Sequence, residues 1–362
     1  MTVTTPTETP VADVPKSSGT RLVDRVFKMR ELAILIVFLV MIAVTQAGNS
    51  EFLSEQGIKD LLLNATILVL VATGQSLVVI TRNVDLSVGS TLGISAFAAG
   101  TYLHGGGNAV VAIVLAVLLG IGFGLLNGLL VSLGQVPALV VTLGTLYIIR
   151  GIDSIWVGSR QITAADLPGG FVDFGSGGLS AVPWLALIAV AVLIATAYYL
   201  KHFGSGRELY ALGSNPEAAR LAGIPVRKRI LLAYTFCGAL AGLAGAMYLA
   251  RFGNVDSGTG NGYELTVVSA VVVGGIAFTG GSGSVYGAAL GALLLTSINS
   301  VLPALGVSSV WVLAINGVLL LLAIAVDRIV ALRVASALKK KSAAHRSAPA
   351  GTAATKGDAP DA

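Results

Sequence analysis

Charge is scarce in this chain. Only 11% of its 362 residues are Asp, Glu, Lys or Arg, while 55% are hydrophobic. A soluble domain of this length carries about a quarter charged residues, so that class is excluded. There is a single cysteine, Cys237, inside an apolar run. No disulfide can form within the chain, and the residue reads as a small buried hydrophobe. His104, His202 and His345 are scattered and form no metal-ligand pattern. No Gly-Lys pair occurs, which excludes a phosphate-cradling P-loop. Gly281-Ser-Gly283-Ser-Val-Tyr-Gly287 comes nearest to a dinucleotide loop. Its third glycine is one residue late, and it lies between two apolar segments instead of a strand and a helix. No Ser/His/Asp or Cys/His arrangement can be drawn either. The chain is expected to bind no cofactor or metal of its own and to catalyse no reaction.

What is present is a series of apolar runs long enough to cross a hydrocarbon core about 30 Å thick at 1.5 Å per residue. The short alternating segments of a membrane β-barrel are missing. The expected fold is an all-α integral membrane protein with about ten transmembrane helices: 31–47, 61–80, 86–103, 109–131, 136–152, 182–200, 230–250, 264–279, 285–305 and 308–326. The first run follows a basic patch, lacks a small-residue cleavage site and is read as a retained span. Residues 1–30 read as a largely disordered tail, 31–328 as the membrane domain and 329–362 as a second disordered tail.

Lys and Arg fix the orientation. With the N-terminus inside, nineteen fall on the cytoplasmic side and four outside: Lys59, Arg150, Arg160 and Arg251. Both termini are then cytoplasmic. The net charge of +5 reports topology and gives no reason to invoke nucleic acid.

The sequence also echoes itself. Asp85-Leu-Ser-Val-Gly-Ser is matched by Glu264-Leu-Thr-Val-Val-Ser, and Asn127-Gly-Leu-Leu-Val-Ser-Leu-Gly by Asn299-Ser-Val-Leu-Pro-Ala-Leu-Gly, in the same order. The offset of five spans is odd, so the halves enter the membrane from opposite faces as two inverted five-helix repeats. Glycine-broken or short segments at matching positions point to a solute path. Asp85 and Glu264 each sit where a carboxylate can accept bonds from a helix's first free N–H groups. Gly120, Gly124 and Gly128 lie four apart, where small residues let helices approach closely.

The most informative polar stretch is residues 206–229, within the loop 201–229. Gly213-Ser-Asn-Pro is a turn signal. Asn215 can cap a helix, Pro216 fits its first position and Glu217 suits its N-terminus. The helix should run from Pro216 to about Ala222 and stop at Gly223. So short a helix is marginal in water without something to pack against.

This stretch resembles the coupling loop of ABC importer permeases of the ribose, rhamnose and autoinducer-2 class. The likeness also covers NVDLSVGS at 83–90, PALVVTLGTLYIIRG at 137–151, GYELTVVSAVVVGG at 262–275 and GGSGSVYGAALGALLL at 280–295. Arg82-Asn83 stands where much of the family has two glycines, as in the autoinducer-2 and rhamnose branch. The resemblance implies a bacterial plasma-membrane permease that moves a monosaccharide-type solute. It also implies a second permease subunit, two ATP-binding subunits that hold ATP and Mg, and an extracytoplasmic substrate-binding protein. Gly213, Asn215, Pro216, Glu217, Ala218, Ala219 and Gly223 would couple to the ATPase.

The candidate path or gate residues are Gln75, Asn83, Asp85, Ser87, Ser90 and Asn127, with Glu264, Thr266, Ser269 and Asn299 from the second half. Hydrogen bonding between helices is the alternative role for each. Span interiors hold Gln75, Asn64, Asn127, Asn299 and Asn316 but no acid or base, which suits a neutral polyol. The competing class is an ion-coupled secondary transporter, which would need ionisable groups deep in the spans.

Overall fold

A computed structural model describes residues 18–304 and individual positions between 306 and 325. The chain is helical almost throughout: α1 (Ser18–Gly48), α2 (Glu55–Ile80), α3 (Val88–His104), α4 (Ala109–Ser132), α5 (Ala138–Val157), α6 (Gly169–Ser176), α7 (Trp184–His202), α8 (Gly204–Ser214), α9 (Pro216–Leu221), α10 (Val226–Phe252), α11 (Tyr263–Val273) and α12 (Val285–Ala304). A small antiparallel ladder pairs Gly178–Leu179 with Val182–Pro183 in the α6–α7 connection. Among the described residues, six helices are long and apolar enough to span a membrane: α2, α4, α5, α7, α10 and α12.

Three expectations change. Residues 18–30, read as tail, form the first turns of α1. The eighth span does not run to 279: α11 has 11 residues, about 16 Å at 1.5 Å per residue, half a membrane. It stops because Gly275, Gly280, Gly281 and Gly283 all take left-handed φ values, which continue no helix. The loop at 201–229 holds two helices, α8 and α9, where one was expected. The tenth span, 308–326, and the tail after it fall largely outside the described residues.

The centre of the bundle is α2, with α10 packed on it and α4 packed on α10. Residues 63 and 65–80 of α2 are buried without a break, the mark of a helix surrounded on all sides. The glycine stripe works as its spacing predicts. A Cβ at Gly120 would strike the Gly238 carbonyl, at Gly124 the Tyr234 carbonyl, and at Gly128 Leu231. The α10 face replies with Gly238 and Gly242, whose added Cβ atoms would strike the carbonyls of Gly120 and Ala116. Backbone therefore meets backbone along α4 and α10.

Candidate functional site

Two interrupted helices, α3 and α11, pack against the α2 and α10 core. α3 is preceded by a non-helical lead-in, 81–87, and α11 by another, 253–262. Each lead-in packs on the other's helix. Val84 clusters with Val268 and Val272 of α11, with Leu86 beside them. In return, added Cβ atoms at Gly89 and Gly93 of α3 would strike the carbonyls of Gly260 and Thr259. The helix starts meet at Gly89, whose Cβ would also strike Glu264 Oε2. The DLSVGS and ELTVVS echo thus lies where α3 and the short α11 begin side by side.

Non-helical backbone inside a membrane bundle needs partners from elsewhere in the protein. The first lead-in obtains them from three helices. The Val84 carbonyl accepts from Tyr234 Oη at 3.1 Å and Thr142 Oγ1 at 3.3 Å. Gln75, with its amide turned to suit its neighbours, donates to the Asp85 carbonyl at 3.3 Å and accepts from the Asp85 N–H at 3.1 Å.

Asp85 itself is 1% exposed. Its Oδ1 accepts from Ser87 N–H at 2.9 Å, Ser87 Oγ at 2.7 Å and Asn127 Nδ2 at 3.3 Å. Asn127 Nδ2 also donates to Ser87 Oγ at 2.8 Å. This corrects the expectation of a carboxylate capping α3's first turn. That helix starts at Val88, and Asp85 instead closes an Asx turn upstream of it. Ser90 Oγ donates to the Ser87 carbonyl at 3.1 Å, and Asn83 Nδ2 to the Thr81 carbonyl at 3.0 Å. The six first-half residues are therefore gathered around one buried turn.

The second-half residues separate. Glu264 lies in the first turn of α11, as expected. Ser269 is buried and donates to the Leu265 carbonyl at 2.7 Å. Thr266 and Asn299 line a cavity of about 310 Å³ with Asn64, Tyr263, Thr296 and Ser300, at the lower end of ligand-pocket sizes. Asn127 and Asn299, matched in the echo, occupy different settings: one buried in the turn, the other exposed to the cavity. Tyr263 also borders a second polar cavity of about 310 Å³, lined by Asp256, Thr259 and Asn261. Its floor is anchored by Arg150, whose Nη1 donates to the Thr259 carbonyl at 2.7 Å.

At the other face, α9 has the predicted cap. Asn215 Oδ1 accepts from the N–H groups of Glu217 and Ala218, both at 3.1 Å. Pro216 opens the helix and Glu217 sits in its first turn. Ala219 faces inward at 4% exposure, whereas Leu221 at the tip is 90% exposed. The helix ends through Gly223 N–H to the Arg220 carbonyl and Ile224 N–H to the Ala219 carbonyl, both 3.0 Å, with Gly223 at φ 79°. Gly213 is pressed so closely on the Ile80 carbonyl and Gly281 that no Cβ fits. Tyr210 Oη on α8 donates to the Gly283 carbonyl at 3.1 Å. Burial pushes this phenol up to about 12, so it keeps its proton and remains a donor at neutral pH.

Residues 57–324 match the family described as branched-chain amino acid transport system / permease component. The chain belongs to this family. The permease is 36% identical over 315 residues to the ribose import permease protein RbsC of Escherichia coli K12, covering 86% of this chain and 97% of that protein. It is 37% identical over 295 residues to the autoinducer 2 import system permease protein LsrC of Salmonella paratyphi B, covering 81% and 84%. No solved structure matches. A permease component built of apolar helices is a multi-pass membrane protein. In it, Tyr234, Thr142 and Leu221 carry contacts or exposure that local sequence did not single out, and Arg82 and Arg150 hold carbonyls that a charge count does not show. For Leu221 a signal existed: the one large apolar residue in the short helix PEAARL, in its last turn.

Proposed function

We propose that this permease is the membrane-spanning subunit of an ATP-driven importer for a monosaccharide-type solute. The observation that carries the reading is α9: a capped helix that stands clear of the bundle and presents Leu221 to solvent. An exposed leucine on a fixed helix beyond the membrane helices is the anchor a soluble partner would bury. Two ATP-hydrolysing subunits are the expected partners, holding ATP and Mg in sites this chain lacks. A second permease subunit and an extracytoplasmic binding protein complete the assembly. The relatives named for ribose and autoinducer 2 import support a small polyhydroxylated solute. Ten helices in two inverted halves, with both termini cytoplasmic, fit the reciprocal packing of α3 and α11.

The test is co-purification from the native membrane. Wild type should bring an ATP-hydrolysing subunit with it. Glu217→Arg should abolish uptake while the protein still inserts. Leu221→Arg should weaken the association at least about ten-fold, the loss typical of an interface anchor. Retention of the subunit by both variants would remove α9 as the docking element.

Solute hydroxyls are expected to meet the cavity of Thr266, Asn299 and Asn64. Asn299→Leu should raise the apparent KM for uptake with little change in the maximal rate, because it removes binding common to ground and transition states. An unchanged KM would direct the path elsewhere. The ion-coupled reading draws on buried acids: Asp85 is 1% exposed, Glu264 Oε2 has no hydrogen-bond partner, and Asp153 of α5 is fully buried with neither carboxylate oxygen partnered. Arg150 Nη1 nonetheless lies 3.9 Å away and offsets the charge. Uptake that collapses with a proton ionophore while ATP is held constant would select the ion-coupled mechanism.

A further inference from the structure

Three segments converge on the α9 face beneath the bundle. They are the end of α2 with the start of the first lead-in, the α8–α9 junction, and the loop that leaves α11. Gly281 N–H donates to the Ile80 carbonyl at 2.8 Å. Gly213 packs against both Ile80 and Gly281. Arg82 bridges all three. Its own N–H donates to the Val79 carbonyl at 2.9 Å. Its Nε donates to the Thr279 carbonyl at 2.6 Å, and its Nη2 to the Ser214 carbonyl at 3.2 Å. Ser214 immediately precedes Asn215, the cap of α9, so one end of the guanidinium is tied to the base of that helix. The other end holds the segment that follows α11, and the backbone of Arg82 is itself part of the lead-in to α3.

Arg82 takes a left-handed φ of 66°, unusual for a residue with a side chain. Gly280 is placed against it so closely that an added Cβ would strike Arg82 Cγ. A simple cytoplasmic charge needs none of this. It would be content in water on any backbone. Arg82 is exposed to solvent, yet its planar fork reaches two carbonyls on separate elements from a constrained backbone, the geometry a linkage requires.

We infer that Arg82 is a positioning residue that makes the coupling helix and both interrupted helices move as one unit when ATP acts. The inference rests on the importer reading above. Displacement of α9 then pulls the lead-in of α3 and the exit of α11 together, and the two helices respond in step.

Cys237 is the sole cysteine of this chain, so a Cys237→Ala chain, diluted with unlabelled permease and assembled with an ATP-hydrolysing subunit freed of cysteine, accepts one pair of spin labels per complex. Labels at Ala211→Cys on α8 and Phe278→Cys in the α11 exit loop report the linkage by pulsed electron resonance. The sample is the complex with its co-purified ATP-hydrolysing subunit in lipid nanodiscs, with ATP–Mg as the probe. With Arg82 present, the distance should stay a single population with and without ATP. In Arg82→Gln it should match that background without ATP and split into several populations with ATP. Arg82→Lys keeps the charge, loses the fork and should split as well, which separates linkage from charge. A single, ATP-independent population in Arg82→Gln overturns the inference. So does a distance already altered without ATP, because that reports a merely structural role. If Arg82→Gln does not accumulate, Arg82→Lys decides by the same criteria. A wild-type chain that brings down no ATP-hydrolysing subunit overturns the importer reading, and this inference with it.

Discussion

Asp85→Ala will cost the solubilised permease about 3 kcal/mol or more of stability, at roughly 1–3 kcal/mol for each buried donor left without a partner. The Ser87 N–H loses its acceptor, and Ser87 Oγ and Asn127 Nδ2 each lose one. None can turn to water, because Asp85, Ser87 and Asn127 are all 1% exposed or less. Asp85→Asn keeps the shape and one acceptor oxygen, so it should cost less than half as much. Asn127→Leu shares the network with Asp85, so the double variant should cost clearly less than the sum of the two singles. Thermal unfolding in detergent checks all three. A melting point for Asp85→Ala equal to wild type would show that the turn is held by the lead-in alone.

Gly238→Leu is expected to be more severe still. Small-to-large changes in a packed interior commonly cost about 1–3 kcal/mol when side chains can give way. Here the obstacle is the Gly120 carbonyl together with the backbone of Gly124, and backbone cannot rotate aside. α4 and α10 would have to part along their length. That would also displace Tyr234, one turn before Gly238 on α10, from the Val84 carbonyl. Loss of the monodisperse folded species on size exclusion is the expected result. Gly122→Leu on α4, the partner helix, has open space at its Cβ and should behave as wild type. Equal yields from the two variants would remove the close approach of α4 and α10 as a determinant of the fold.

Much of this could be read locally. The Asn215-Pro216-Glu217 cap is written in consecutive residues, and so is its stop at Gly223. The spacing of Gly120, Gly124 and Gly128 names a face without naming its partner, and the structure supplies α10. The DLSVGS and ELTVVS echo located the two interrupted helices but overstated the length of the second. The apolar run continues past Val273, and only the left-handed glycines end the helix. Other features leave no local trace. Tyr234 serves a carbonyl 150 positions earlier, yet on α10 it reads as one more apolar-face aromatic. Arg82 looked like a topology marker, since a charge count is indifferent to what a guanidinium holds. Gln75 read as a path residue because an amide inside an apolar helix must bond to something. The sequence could not say that this was the main chain at Asp85.

The bond from Tyr234 to Val84 also bears on how the protein is made. The ribosome delivers the first lead-in long before it delivers α10 or α11. Until they arrive, the Val84 carbonyl lacks its Tyr234 donor, and Val84 and Leu86 lack the apolar surface of α11. The amino-terminal half therefore lacks part of its buried packing until the carboxy-terminal half is made.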